Sequence, residues 1–168
     1  MQRLLLTFAL SGLLLLSGCA SLGGLGIQAP RFSAAPGQAA ELRLAGPSLQ
    51  RPLGGATVRI YTLVENPNPI GITLSSLAGT LQLQGFDAAD AEFPLGLPMG
   101  AGQATVVPLD LTVSFANLPG LAEVLSRSLN NGEIAYSLRG TARVDAGMLG
   151  QPSFGPMTLV QGTVQARR

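Results

Sequence analysis

The chain has 168 residues, with ten basic and nine acidic side chains, no histidine and a single cysteine. Without histidine the commonest general base, the Ser-His-Asp triad and most zinc sites are excluded, and the near balance of charge leaves no electrostatic footprint for nucleic acid. Every basic residue is Arg, which excludes Ser-Lys catalysis, and a lone cysteine can form no internal disulfide, redox pair or Cys-based metal site.

The N-terminus carries Arg3 and then an apolar run, Leu4 to Leu16, interrupted only by Thr7, Ser11 and Gly12. That run is too short to span a bilayer, which takes about 20 helical residues, and it suits the apolar region of a signal peptide. It closes on Leu16-Ser17-Gly18-Cys19, which resembles the bacterial lipobox, a small-residue cleavage site before a cysteine that is acylated. The resemblance implies a leader over 1–18, removal after Gly18 and fatty acylation of Cys19, for instance with palmitate. Each buried CH₂ contributes roughly 0.8 kcal/mol and one chain holds only marginally, so several chains make a lasting anchor. Ala20 stands where the lipoprotein pattern places Asp for inner-membrane retention, which implies the outer membrane of a Gram-negative cell, facing the periplasm. The alternative reading is an uncleaved N-terminal membrane anchor with Cys19 an ordinary thiol. Either way the partner is a membrane.

Residues 19–37 follow as the lipidated cysteine and a tether rich in Gly, Ala, Ser and Pro, although the chain around Pro30-Arg31-Phe32 can already pack as a first strand. The remainder, 38–168, is one ordinary domain.

Its pattern is mostly period-two. Val58, Ile60 and Val64 alternate with Thr57, Arg59 and Glu65; Val107, Leu109, Leu111, Val113 and Phe115 share one parity; and Ile134, Tyr136, Leu138, Ala142 and Val144 oppose Glu133, Ser137, Arg139, Thr141, Arg143 and Asp145. Such alternation predicts half-buried antiparallel strands. Pro108 predicts a free edge near the start of its strand. Ile70, Ile72 and Leu74 share one parity while Leu77, Leu81 and Leu83 share the other, so a bulge or a change of sheet is expected at Ser75-Ser76. Shorter strands are expected over 40–46, 91–97 and 153–165. Seven or so strands separated by turn signals indicate a mainly β protein, an antiparallel β-sandwich. Between two of them, Leu118, Leu121, Val124, Leu125 and Leu129 fall at helical spacing after Asn117 and before Asn130-Asn131-Gly132, which predicts one short amphipathic helix packed on the core.

The stretch VENPNPIGITLSS, residues 64–76, interrupts alternation with two Asn-Pro pairs. Proline pushes Asn66 and Asn68 into extended conformations and neither Pro67 nor Pro69 can donate to a ladder. The Asn amides can bond nearby backbone in their place. The motif therefore reads as a stiff crossing from one sheet to another, architectural in role. Val64-x-Asn66-Pro67-Asn68-Pro69 with ITLSSLAGTLQLQG behind it resembles the water-stress and hypersensitive-response domain of the late-embryogenesis-abundant type 2 family. QATVVPLDLTVSF, the helix and GEIAYSLRGTARVD follow in the order of that family, over about 38–166. The resemblance implies an Ig-like or fibronectin-III-like sandwich, linked to desiccation and stress, with no catalytic residue. FDAADAEFPLGLPMG carries more Pro and Gly than the family leads one to expect, which puts the length of that strand in doubt.

No cofactor and no small-molecule substrate is evident. Asp87, Asp90 and Glu92 could offer oxygens to Ca²⁺, but their spacing lacks the Gly and terminal Glu of a Ca²⁺ loop, and a solvated hairpin is expected instead. Two functions are expected for such a module: a membrane-tethered, non-catalytic protective or binding domain that meets envelope proteins by strand edges or loops, or an accessory scaffold of an envelope transport complex.

Overall fold

A computed structural model describes residues 26–49, 51–117, 120, 123 and 133–167. Eight strands follow one another: β1 (Arg31–Ala34), β2 (Ala40–Ala45), β3 (Gly55–Glu65), β4 (Ile72–Leu83), β5 (Phe86–Met99), β6 (Ala104–Ser114), β7 (Glu133–Asp145) and β8 (Ser153–Arg167). They are joined in the order β1-β3-β2-β8-β7-β4-β5, with β6 on the other side of β3. β1 and β2 lie end to end along β3, against Thr62–Glu65 and Gly55–Arg59 respectively.

The alternation read from the sequence is what decides the inner face. In β7 the buried side chains are Ile134, Tyr136, Leu138, Ala142 and Val144, the set expected, because a strand with one dry and one wet face separates its two parities. The parity change in β4 is a β-bulge: register against both β5 and β7 shifts between Leu74 and Ser76. The extra residue lets Leu74 and Leu77 both face inward. A second irregularity, between Leu138 and Arg139 of β7, lets the adjacent Leu159 and Val160 of β8 both be buried.

β5 is longer than its composition suggests. Fourteen residues stay extended with Pro94 and Pro98 among them, because β5 pairs only with β4 and an edge strand can lack a donor on its open side. The same holds for Pro108, which lies opposite Tyr61 in β6, a strand paired only with β3.

The arrangement expected, about seven strands and all antiparallel, is corrected in one respect, the direction of β2. Eight strands are present among the described residues, and β2 runs parallel to β8, Ala40 opposite Val164 through Arg43 opposite Arg167. Alternation reports which face a residue takes but not the direction of a partner more than a hundred residues away. The eighth strand is β1, drawn from the stretch around Pro30. Of the expected amphipathic helix, only Gly120 and Glu123 are described, both helical; the rest lies outside the described residues.

The two extremes of the pairing order, β5 and β6, are consecutive in the chain and joined by a turn at Gly100–Gln103, closed by a Gln103 N–H to Gly100 C=O bond of 3.1 Å. A short turn between the outermost strands forces the sheet to curl. Its apolar face then encloses one contiguous core, with Leu42, Ile60, Leu77, Leu81, Leu109 and Ile134 fully or almost fully buried. The β4–β5 hairpin turns on Gln84 and Gly85, with φ of 50° and 83°, the left-handed pair that a two-residue primed turn requires.

Two glycines mark a close approach of neighbouring strands. Gly79 and Gly140 are opposite one another in β4 and β7. A Cβ on Gly140 would meet the Ala78 carbonyl oxygen and lie 2.6 Å from Gly79 Cα. These neighbours are ladder backbone and cannot step aside. Gly140→Ala is expected to lower stability by about 1–3 kcal/mol and Gly140→Val by more, read as the midpoint of urea unfolding; an unchanged midpoint in both would show that the strands can separate there at little cost.

Candidate functional site

β3 ends at Glu65 and β4 begins at Ile72; the Asn-Pro pairs fill the corner between them. Asn66 is fully buried and Asn68 is 3% exposed, so their polar atoms must be satisfied inside the protein. The Asn66 amide nitrogen donates to the carbonyls of Ile70 (2.8 Å) and Gly100 (2.9 Å), with a longer contact of 3.4 Å to Met99. Its amide oxygen accepts from the backbone N–H of Asn68 (3.0 Å) and from the Asn68 side chain (2.9 Å). Three carbonyls on one side and two N–H donors on the other fix which way the amide points.

Asn68 acts on a different segment. Its side chain donates to the Gln28 carbonyl (3.0 Å) and accepts the Gln28 N–H (2.8 Å), pairing with that residue as a neighbouring strand would. Backbone bonds close the cluster: Asn66 N–H donates to Gln103 C=O (2.9 Å) and Gly102 N–H to Asn68 C=O (3.3 Å). The two asparagines thus tie together the chain that leads into β1, the β3–β4 corner and the β5–β6 turn. Sequence reasoning placed Asn66 and Asn68 but missed Gln28, which contributes only backbone groups and so leaves no signal in residue type, and Gln103, whose backbone carbonyl meets Asn66 and whose side-chain oxygen accepts the Gly100 N–H at 2.7 Å.

Leu16, Ser17, Gly18 and Cys19 are outside the described residues. Pro67 is partly buried and Pro69 exposed at the same corner. Asp87 accepts a 2.7 Å bond from Gln82 and Asp90 a 2.6 Å bond from Thr80, so each is engaged with its own partner across the β4–β5 ladder. Among the described residues there is no group of three or more His, Cys, Asp or Glu side chains that could hold a metal ion.

The strongest electrostatic feature is a ladder across β2, β3 and β6, where Glu41, Arg59 and Asp110 stand opposite one another. Arg59 grips Asp110 with two bonds of 2.6 and 2.8 Å. The guanidinium hydrogen bond, followed by its charge and that of Arg43, holds the Asp110 carboxyl below the usual carboxylate range. Both partners are about half exposed, and solvent-screened pairs of this kind add little to stability; the gain is in register. The hollow above this ladder is walled by Glu41, Arg43, Thr57, Arg59 and Asp110, with acids and bases matched and no nucleophile activated.

Asn66→Asp tests the corner without changing its shape. The introduced carboxylate would face three carbonyls instead of donating to them, and the expected loss is about 3 kcal/mol or more at neutral pH. Burial raises that carboxyl's pKa, so the loss should shrink as the pH falls and the group takes a proton; a variant as stable as the parent at pH 7 would contradict the network. The wild-type chain has no histidine and so no histidine step in stability between pH 5 and 8. Burial pushes the Tyr136 phenol up. A raised folded-state value means that its contribution is complete below the unfolded value of about 10 and is lost as the pH climbs through the folded one. A Tyr136→Phe chain should lose less stability above about pH 10 in chemical denaturation.

Comparison with known proteins agrees with this architecture. The solution structure of a protein from Arabidopsis thaliana matches with a TM-score of 0.60 at 17% identity, over 85% of this chain and 86% of that one. Weaker likenesses are to a solution structure named for the late embryogenesis abundant group (TM-score 0.48, 18% identity, 83% of this chain and 72% of that one) and to a crystal structure from Archaeoglobus fulgidus (0.45, 13%, 78% and 98%). No curated protein matches the sequence. The model of the late embryogenesis abundant protein family, type 2, matches residues 61–158, from β3 through the Asn-Pro corner into β8 and over more than half of the chain. The chain belongs to that non-catalytic family.

Proposed function

We propose that this protein is a lipid-anchored envelope module. Its leader, 1–18, is removed, Cys19 is acylated, and the type 2 domain stands on the periplasmic face of a Gram-negative outer membrane. There it protects or binds its surroundings by surface contact under desiccation or other envelope stress. The observation that carries the anchor is Leu16-Ser17-Gly18-Cys19 behind a single charge and a short apolar run. Protective or binding work without chemistry is supported by family membership and by a site whose amide groups are used up in holding the fold.

We further read the curled sheet as two stacked layers, an Ig-like or fibronectin-like sandwich. Support comes from β2, which pairs with β3 on one side and β8 on the other, and from the short turn that brings β5 back to β6. Partners would meet the outer edges or the loops, since β5 and β6 each pair with a single strand and an edge offers backbone groups to an extended segment.

Cys19→Ser is expected to move the protein from the membrane fraction to the soluble one. Recovery of that variant in membranes with its leader uncut would reject the lipoprotein reading. The purified native lipoprotein should preserve a labile enzyme through drying at stoichiometric amounts; one stoichiometric crosslinked partner in intact cells, with no such protection, would favour the accessory-subunit function.

A further inference from the structure

The strand directions divide the loops between two ends. At one end lie the chain leading into β1, the Asn66–Gly71 corner, the Gly100–Gln103 turn and the β7–β8 loop; at the other lie the β2–β3 loop, the Gln84-Gly85 turn and the end of β6. The first end is a single neighbourhood, because Gly71, Ile72, Met99, Gln103, Asp145 and Gly147 line one hollow.

Three large apolar side chains protrude from it. Met148 is fully exposed and Leu149 is 56% exposed in the β7–β8 loop, while Ile70, at the tip of the proline corner, is 38% exposed. The short 3₁₀ turn Gly147–Leu149 that carries the first two buries none of its residues. Charge gives no reason for an ionic partner here: the Arg31 guanidinium is paired with Glu65 at 3.4 Å, and Asp145 is occupied by the Gly147 N–H (2.8 Å) and the Gln151 amide (3.1 Å).

The path of the N-terminal chain points to the occupant. Asn68 holds Gln28 by two hydrogen bonds at this same end, so the chain leaves the domain beside these side chains. Between Cys19 and Gln28 lie eight residues, a reach of at most about 30 Å when fully extended. We infer that the loops bearing Ile70, Met148 and Leu149 form a lipid-facing tip that dips into the bilayer surface, with the asparagine clamp setting the domain end-on to the membrane. This rests on the acylation of Cys19. A polyvalent lipid anchor concentrates the tip at the interface, so the tip needs little affinity of its own; it acts by orientation, keeping the opposite end turned towards the periplasm and the β5 and β6 edges rising away from the membrane.

The chain contains no tryptophan, which permits a clean probe. Met148→Trp and, at the opposite end, Leu53→Trp would each be introduced into the full-length lipoprotein and reconstituted into phosphatidylethanolamine–phosphatidylglycerol vesicles with and without brominated lipid. The expected result is a blue-shifted emission for Met148→Trp and at least several-fold stronger bromolipid quenching than for Leu53→Trp, unchanged by salt because the contact is apolar. Equal quenching at the two ends, or none at residue 148 in protein that mass spectrometry shows to be acylated, overturns the tip and leaves the anchor standing. A blue shift at 148 without bromolipid quenching also overturns it, since a protein surface or a second copy would then cover the loop. An unacylated Cys19 in the purified native protein overturns the anchor and the tip together.

Discussion

The structure depends on how one corner disposes of its backbone carbonyls. Where β3 passes into β4, two prolines remove two donors, yet the carbonyls of Ile70 and Gly100 are drawn close to a buried side chain. A carbonyl taken out of water without a donor costs the full desolvation of that group. Asn66 answers with an amide whose two hydrogens point at those oxygens and whose own oxygen is met by Asn68. A serine could not reach as many groups, and an aspartate would set acceptor against acceptor. The motif is therefore a requirement of hydrogen-bond stoichiometry in a place where proline has made ladder bonds unavailable.

A second constraint acts on the other side of the same strands. The sheet has one apolar parity per strand, and these parities meet in one contiguous core. Bulges at Ser75 and in the β7–β8 ladder supply local twist, and the Gly79–Gly140 pair allows backbone to approach backbone. Among the described residues the inner face of the strands carries one polar exception: Thr62, between Ile60 and Val64, is fully buried and its hydroxyl has no partner there. Threonine keeps the β-branched shape that suits a strand, and the unused hydroxyl takes a share of stability that valine would return.

Much of this was legible in residue order. Parity in β7 and β6 and the bulge near Ser75 follow from local rules, because each involves neighbours a few residues apart; of the asparagine network only the bonds within the corner, Asn66 to Ile70 and to Asn68, are of that kind. What stayed hidden was non-local. The parallel pairing of β2 with β8 joins residues more than a hundred positions apart, and Gln28 enters the clamp through its backbone alone, so no side-chain chemistry announces it. The length of β5 escaped for a different reason: Pro94 and Pro98 argue against a strand only if both of its sides are paired, and edge status belongs to topology.

The same hydrogen-bond accounting also bears on what the family motif can do. A catalytic or ligand-binding amide must keep a donor or a lone pair free to meet its target, and must be reachable from solvent. Asn66 and Asn68 meet neither condition: both hydrogens of each amide are committed, and the side chains are shut off from water. Activity therefore has to reside outside the motif, in what the motif holds still. It fixes the exit of the N-terminal chain against the corner and the β5–β6 turn, and so it determines which loops and which strand edges the domain presents. The motif specifies orientation, and the side chains of Ile70, Met148 and Leu149 at that end stay exposed beside it.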